Sequence, residues 1–305
     1  MRYREWLDMW LKNFVTPVRK ARTTDLYTEI AEKKIIPYLG GCDLDELTPI
    51  IIQRYVTKLS QNGNIRTGKG LSPNSVNGII SVIQSSLQMA YRLGYTKDYI
   101  GDKIIRPKTT EKRIECFTIA EQRKIEQTVL ESKTLKMRGI VICLYTGLRI
   151  GELLALTWND VNFAEREISV SKSCYHGKCG RVVYGTKTVN SVRTIPLSKP
   201  IIKILREMKS GSESEYVISA HGNPVETRTY QKNFEVLLKK MQIGHHGFHA
   251  LRHTFATRAL ECGMDVKTLS EIMGHKDSSV TLNRYVHCLS EHKKAMMNRL
   301  GKYLE

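Results

Sequence analysis

The sequence has no long apolar run. Its longest uninterrupted apolar stretch, residues 139–145, is seven residues long, whereas a membrane-spanning helix needs about 20. The first residues, MRYREWLDMWLKNF, mix charged and aromatic side chains at helical spacing rather than forming the apolar centre of an export signal. We therefore expect neither a transmembrane segment nor an export signal.

A paired cysteine pattern is also missing. The seven cysteines are odd in number and mostly scattered, unlike those of a small secreted disulfide scaffold. This favours a reducing compartment, and we expect a cytoplasmic protein. Cys174, His176 and Cys179 share one short segment, CYHGKC, but no second cysteine pair accompanies them, which argues against a metal site. The role of that segment is left open.

Acidic residues are few relative to basic ones. There are 30 Asp and Glu against 48 Lys and Arg, a formal charge of +18. Such a surface attracts polyanions through its long-range field, so nucleic acid is the leading partner, with a generally basic soluble protein as the alternative. A length of 305 residues with 41% hydrophobic content predicts two globular domains.

The N-terminal part has the apolar periodicity of helices. Four helices are predicted, over residues 4–14, 24–37, 48–60 and 72–93. The last has Ser72 as N-cap and Pro73 at the first helical position, and it ends at Gly94. Residues 61–70, QNGNIRTGKG, predict a flexible basic loop, for which solvation is favoured over DNA contact.

Residues 106–116, RPKTTEKRIEC, carry charge and a proline without apolar periodicity, as domain linkers do. We therefore predict a helical domain over residues 1–107, a linker over 108–115 and a second domain over 116–305. In the second domain, Thr118 and Glu121 form a capping box that starts a helix. Residues 167–197 are rich in Val, Ile, Thr and Tyr and predict three short strands among helices. The expected fold class is α+β, mostly α, with a small antiparallel sheet.

Four segments place ionisable groups in apolar surroundings, which is costly unless something pairs with them. They are TGLRIGELLAL (146–156), GTKTVNSVRTIPL (185–197), FHALRHTFATRAL (248–260) and MGHKDSSVTLNRYVH (273–287). His249 and Arg252 share a helix face, where both can reach one anion. Taken alone, each segment also has an interpretation without a functional role; Arg149, for example, could be a surface arginine paired with Glu152.

Together the four segments resemble the tyrosine recombinase and integrase family, and the resemblance covers most of the chain. In that family an arginine follows a Thr-Gly turn, a lysine sits on a β-hairpin, a His-x-x-Arg pair opens a helix, and Gly-His precedes a tyrosine by about ten residues. Arg149, Lys187, the pair His249 and Arg252, His275 and Tyr285 match these positions in the same order. The resemblance implies a helical SAM-like core-binding domain followed by a mixed catalytic domain.

The resemblance also implies the chemistry. Arg149 and Arg252 would clamp the scissile phosphate, and Tyr285 would attack it to form a 3′-phosphotyrosyl bond. His249 would act as acid or base, His275 would hydrogen-bond a non-bridging oxygen, and Lys187 would be the general acid. No cofactor, metal or ATP is expected, because the phosphotyrosine keeps the energy of the broken bond. Tyr303, which also lies C-terminal to Tyr285, is expected to pack rather than react.

The implied partners are double-stranded DNA with paired inverted core sites, a homotetramer assembled on that DNA, and an accessory directionality factor. Integration, excision and inversion stay open, as does docking of the C-terminal tail in cis or in trans. The chain starts almost directly at its first helix, so we expect no arm-binding domain before it. Residues 99–102, YIGD, depart from the Asn-Pro of many relatives. A non-catalytic DNA-binding protein and a monomeric type IB topoisomerase are the alternatives.

Overall fold

The computed structural model describes residues 1–64, 67–109, 115–177, 180–185, 192–275, 297–298, 300–301 and 303–304. The chain forms two compact units, Met1–Lys112 and Arg113–Glu305, and each has its own apolar core. Within the described ranges, no helix combines the length and the hydropathy that a membrane crossing requires. The domain limits at residues 107 and 116 stay predictions.

The first unit is helical. Its helices are α1 (Tyr3–Trp10), α2 (Ala21–Ile30), α3 (Ile36–Leu39), α4 (Pro49–Asn62) and α5 (Pro73–Arg92). Helices α1 and α2 continue into π-helical turns over Leu11–Val15 and Ala31–Ile35. The described residues of this unit also form 3₁₀ turns at Leu44–Glu46 and Gly101–Lys103. The four predicted helical regions are confirmed, although α2 begins three residues before the predicted start.

Local capping chemistry fixes where α4 and α5 begin. The Ser72 hydroxyl accepts a hydrogen bond from the amide of Ser75 at 3.3 Å, and Pro73 follows it, as the sequence predicts. Thr48 does the same for α4 by accepting from the amide of Ile51 at 3.3 Å. These hydroxyls satisfy amide groups that have no carbonyl partner within the first helical turn.

Two aromatic side chains tie α1 to α5 in the core of the first unit. Trp6 and Tyr3 are fully buried, so their polar atoms need partners inside the protein. The Trp6 indole donates to the carbonyl of Ser86 at 3.2 Å, and the Tyr3 hydroxyl lies 2.7 Å from the Ser86 hydroxyl. The apolar stripe predicted for the first helix therefore serves packing.

The second unit combines helices with short strands. Its helices are α6 (Ile119–Glu131), α7 (Gly139–Thr146), α8 (Ile150–Ala155), α9 (Lys199–Ser210), α10 (Thr227–Lys240), α11 (His249–Glu261) and α12 (Val266–Met273), with 3₁₀ turns over Leu135–Arg138 and Trp158–Asp160. The predicted capping box at the start of α6 is confirmed, since Thr118 accepts from the Glu121 amide and Glu121 accepts from Thr118.

Among the residues that the structure describes, the strands form three small antiparallel sheets. They are β1 (Val161–Asn162), β2 (Glu167–Val170), β3 (Lys172–Gly177), β4 (Gly180–Gly185), β5 (Arg193–Pro196), β6 (Ser219–Ala220) and β7 (Asn223–Pro224). The sheet orders are β1-β2-β5, β3-β4 and β6-β7. The α+β class is confirmed.

The strand count in the predicted β region was wrong. Four strands, not three, lie in the described part of residues 167–197, because the first predicted strand breaks at Ser171 and its two halves join different sheets. A break of one residue leaves no turn signal in the sequence. Strands also lie outside that region, namely β1 and the β6-β7 hairpin, and each of these strands has only two residues.

Two close contacts fix the positions of helices α8 and α11 in the second unit. A Cβ on Gly151 in α8 would lie 2.6 Å from the carbonyl oxygen of Cys174, so this glycine allows the β3-β4 hairpin to rest on α8. Near the start of the second unit, the amide of Phe117 donates to the Thr254 hydroxyl on α11 at 2.9 Å. Both α8 and α11 carry predicted site residues.

Candidate active site

A left-handed turn places Arg149. Helix α7 ends at Gly147, which has φ +64°, and a Cβ there would lie 2.5 Å from the Phe255 ring. Only glycine fits both the backbone angle and this contact. The chain then turns so that Arg149 has extended backbone angles and precedes the first residue of α8, with its side chain 38% exposed.

Glu152 is the buried partner of Arg149. Its carboxylate is 4% exposed, and it accepts from the Arg149 amide at 2.9 Å and from Arg149 Nη1 at 2.7 Å. Arg193, on β5, donates to the same carboxylate from Nη1 at 3.2 Å and from Nη2 at 2.9 Å. Burial alone raises the pKa of Glu152, but the hydrogen bonds and charge of Arg193, with those of Arg149, outweigh it and lower the pKa to about 2. The carboxylate therefore stays ionised at neutral pH.

Arg252 is a buried cation on α11. Its side chain is 2% exposed, and such burial of a charge is tolerated only when hydrogen bonds replace the lost water. Nη1 donates to the carbonyl of Gly147 at 2.6 Å, and Nη2 donates to the carbonyl of Met273 at 2.6 Å. Arg252 thus joins the turn before Arg149 to the end of α12.

His275 lies directly after α12. The helix ends at Gly274, which has φ +62°, and the amide of His275 donates back to the carbonyl of Ser270 at 3.0 Å. Nη2 of Arg252 lies 2.9 Å from Nε2 of His275. Because arginine can only donate, Nε2 is the acceptor and the neutral ring carries its proton on Nδ1. His275 is therefore positioned as a hydrogen-bond donor through Nδ1.

Arg149 also contacts the segment of His275. Its Nη2 donates to the carbonyl of Gly274 at 3.3 Å. Arg149, Arg252 and His275, three residues far apart in the sequence, are therefore joined through hydrogen bonds to the turns at Gly147 and Gly274. Guanidinium groups present several N–H donors in one plane, so this arrangement is suited to binding an oxyanion.

His249, the first residue of α11, is exposed and lies one turn before Arg252. Its ring packs edge to face against the ring of His253, with 4.6 Å between centroids. Lys187 and Tyr285 lie outside the described residues, as does Cys179. The last described residue before Lys187 is Gly185, at the end of β4, and Arg193 opens the next strand.

Arg193 was missed in the sequence, and Glu152 was considered only as a surface partner. A signal for Arg193 was present: Arg193, Ile195 and Leu197 alternate along β5 and the residue that follows it, and Ile195 and Leu197 are buried. An arginine in phase with two core residues is expected to point inward as well. For Glu152, the neighbouring LLAL run is the corresponding signal, since Leu153, Leu154 and Ala155 are all buried.

The described residues contain no group of three or more His, Cys, Asp or Glu side chains that could hold a metal ion. In the CYHGKC segment, Cys174 is buried, and Nδ1 of His176 lies 2.8 Å from a carboxylate oxygen of Glu226.

Comparisons with known proteins agree over nearly the whole chain. The phage integrase family model matches residues 114–292, and the model of the N-terminal SAM-like domain of phage integrases matches residues 3–60. A protein named tyrosine recombinase XerC-like from Caldanaerobacter subterraneus subsp. tengcongensis is 30% identical over 295 residues, covering 86% of this chain and 73% of the relative. The ICEBs1 integrase of Bacillus subtilis is 25% identical over 287 residues, covering 90% and 76%.

Solved structures share the fold. The Tn1549 transposon integrase in complex with a circular intermediate DNA superposes with a TM-score of 0.80 at 24% identity, covering 98% of this chain and 99% of that one. A lambda integrase dimer bound to a core site gives a TM-score of 0.71 at 22% identity, covering 92% and 97%.

The helical SAM-like unit and the mixed unit with its two clustered arginines define the class of site-specific DNA recombinases of the tyrosine type. Within that class, the chain belongs to the phage integrase family, whose model covers more than half of it. Family membership thus confirms the resemblance that the four motifs indicated.

Proposed function

We propose that this chain recombines DNA by direct transesterification, with neither metal nor ATP. The Tyr285 oxygen forms a bond to the scissile phosphorus, and the bond from phosphorus to the 5′-oxygen breaks. The product is a 3′-phosphotyrosyl bond and a free 5′-hydroxyl. Because a phosphodiester is exchanged for another phosphodiester, the reverse attack by a 5′-hydroxyl needs no external energy source.

The observation that carries this proposal is the convergence of Arg149, Arg252 and His275 at the Gly147 and Gly274 turns. In the proposal, the two arginines bind the non-bridging oxygens of the scissile phosphate and stabilise the charge that builds in the pentavalent transition state. His275 donates from Nδ1 to one of these oxygens. In the proposal, the positive charges of Arg149 and Arg252 favour the phenolate of Tyr285, since an unperturbed phenol has a pKa of about 10.

Proton transfer is assigned to His249 and Lys187. His249 is exposed at the start of α11, one turn from Arg252, and in the proposal it accepts the phenol proton of Tyr285. Lys187 lies in the segment between β4 and β5, and its ammonium group would give a proton to the departing 5′-oxygen.

The assemblies of the structural neighbours support a proposal for the partners of this chain. The structural neighbours include a lambda integrase dimer on a core site and a lambda integrase tetramer bound to a Holliday junction. We propose that four copies of this chain act on two duplexes with paired inverted core sites, aided by an accessory directionality factor. A cytoplasmic location and a mobile-element origin are part of the same proposal.

Binding to duplex DNA should depend steeply on salt. A protein that neutralises several phosphates releases condensed counterions, so affinity is expected to fall by roughly 10³-fold or more between about 50 and 200 mM salt. Fluorescence anisotropy with a labelled duplex measures this slope. A flat dependence would argue against phosphate contacts as the basis of binding.

Lys187→Ala should impair cleavage without impairing binding. If Lys187 protonates the leaving 5′-oxygen, the variant binds DNA normally and cleaves about 10²- to 10⁴-fold more slowly. A substrate with a 5′-bridging phosphorothiolate should restore much of the rate, because sulfur leaves without protonation. Lys203→Ala, which removes an exposed lysine on α9, is the matched control.

Failure of the phosphorothiolate substrate to rescue Lys187→Ala would assign the general acid to another residue.

A second assay distinguishes the proposed recombinase from a type IB topoisomerase. A type IB topoisomerase relaxes supercoiled plasmid without a target site, whereas the proposed recombinase leaves such a plasmid supercoiled.

A further inference from the structure

Arg193 carries a buried charge that none of the proposed steps uses. It opens β5, and its side chain is 6% exposed. Nε donates to the carbonyl of Ile272 at 2.6 Å, and both terminal nitrogens donate to the carboxylate of Glu152. All three nitrogens of its guanidinium thus donate to the elements that hold Arg149 and His275.

The carboxylate of Glu152 is shared evenly between two arginines. Its Oε1 accepts from Nη1 of Arg149 and from Nη1 of Arg193, and its Oε2 accepts from the amide of Arg149 and from Nη2 of Arg193. Each oxygen therefore has one partner from each arginine. Arg193 occupies half of these acceptor positions. The guanidinium of Arg149 therefore pairs with Glu152 through Nη1 and not bidentately, and its Nη2 donates to the carbonyl of Gly274.

The local charge depends on Arg193. Glu152 contributes one negative charge, and Arg149 and Arg193 contribute one positive charge each, so the trio has a net charge of +1. Without Arg193, the remaining pair of Glu152 and Arg149 is neutral, because the buried carboxylate cancels the charge of Arg149. Because the side chains of Glu152 and Arg193 are buried, water screens this change little, and it weakens attraction for a phosphate.

Arg193 also supports the turn before His275. A Cβ on Gly274 would lie 3.0 Å from Nη1 of Arg193, so the backbone of this turn lies directly against the guanidinium. The hydrogen bond to the carbonyl of Ile272 fixes the preceding residues of α12. Arg193 thereby contacts both the carboxylate that pairs with Arg149 and the turn that precedes His275.

We propose that Arg193 is a positioning residue of the recombinase, which compensates the charge of Glu152 so that Arg149 binds the scissile phosphate with its full charge. This role rests on the proposed function. Arg193 acts through Glu152 and Arg149 and does not itself touch the phosphate. A purely packing role for Arg193 would leave the charge of Glu152 irrelevant to cleavage, which gives the two roles different consequences.

The test measures covalent capture of DNA. A pool of nicked duplexes with randomised arms is incubated with the wild-type chain, adducts that resist denaturing detergent are recovered, and a captured duplex becomes the substrate. Binding by anisotropy and adduct formation are then measured for Arg193→Gln, Arg193→Lys and the double variant Arg193→Gln with Glu152→Gln. Arg206→Gln, which removes an exposed arginine on α9, is the control.

Arg193→Gln is expected to bind the duplex within about 3-fold of wild type and to form adduct roughly 10²-fold more slowly, as for loss of one stabilising charge. Arg193→Lys keeps the charge and should stay within about 10-fold of wild type. The double variant restores the net charge of +1, and the amide introduced by Glu152→Gln still offers an oxygen to Arg149. Its adduct formation should therefore recover at least about 10-fold over Arg193→Gln. Arg206→Gln should match wild type.

Two results would overturn the role of Arg193: adduct formation by Arg193→Gln within about 3-fold of wild type, or a double variant no faster than Arg193→Gln. The variants that carry Arg193→Gln could melt below the assay temperature, and in that case the test uses Arg193→Lys. If Arg193→Lys is folded but forms adduct about 10²-fold more slowly than wild type, the proposed role of Arg193 is contradicted. Failure of wild type and Arg206→Gln to capture any duplex would overturn the proposed function, and with it this role.

Discussion

Arg252→Lys is expected to reduce strand cleavage by about 10³-fold or more, although the charge is conserved. The guanidinium reaches the carbonyls of Gly147 and Met273 and the ring of His275 at the same time. A lysine has one nitrogen and cannot span these three acceptors, so the phosphate-binding face loses its orientation. The rate of adduct formation on a nicked duplex measures this effect.

The same substitution should also lower thermal stability, because at least one buried carbonyl loses its donor, at a cost of about 1–3 kcal/mol. Arg258→Lys is the matched control, since Arg258 lies on the same helix and also donates to a backbone carbonyl, that of Phe117. It should lose some stability and keep the cleavage rate. Comparable cleavage by Arg252→Lys and Arg258→Lys would remove Arg252 from the phosphate clamp.

Tyr285→Phe is expected to abolish cleavage entirely while leaving DNA binding intact. The substitution removes one oxygen atom and preserves the ring, both arginines and the basic surface. On a nicked duplex from which the short 5′-hydroxyl strand diffuses away, wild type should accumulate as a covalent adduct without added metal or nucleotide. The Phe variant should bind the same duplex and give no adduct.

Tyr303→Phe is the control for Tyr285→Phe. Tyr303 is 86% exposed, so the expectation that it packs was wrong. The Gly-His pair that precedes Tyr285 has no counterpart before Tyr303, where His292 follows a glutamate. Tyr303→Phe should form adduct at the wild-type rate. A loss of adduct in Tyr303→Phe, with adduct retained in Tyr285→Phe, would transfer the nucleophile to the end of the chain.

Features that depend on local chemistry were predictable from the sequence. The Ser72 cap and the Thr118–Glu121 capping box fix helix starts through contacts three residues apart, so a short window contains the whole signal. The placement of Arg149 was similarly predictable, because the Thr-Gly turn before it requires a left-handed residue, and Gly147 adopts that conformation.

Features that depend on distant partners were not predictable in the same way. Arg193 and Glu152 are 41 residues apart, and their pairing needs β5 to pass beside α8. Nor does the sequence reveal that Ser171 divides β2 from β3 and sends them to different sheets. The family resemblance implied only that Arg252 and His275 act on the same phosphate, whereas their direct hydrogen bond and the acceptor role of Nε2 required the structure.

Peptide mapping of the adduct shows directly whether Tyr285 becomes covalently attached to the 3′-phosphate of cleaved DNA. After capture on a nicked duplex, nuclease and protease digestion leaves a short nucleotide on one peptide, which mass spectrometry identifies. We expect the 3′-phosphonucleotide on Tyr285, within the peptide that follows Arg284. A nucleotide attached to any other residue, or attached through a 5′-phosphate, would contradict the account.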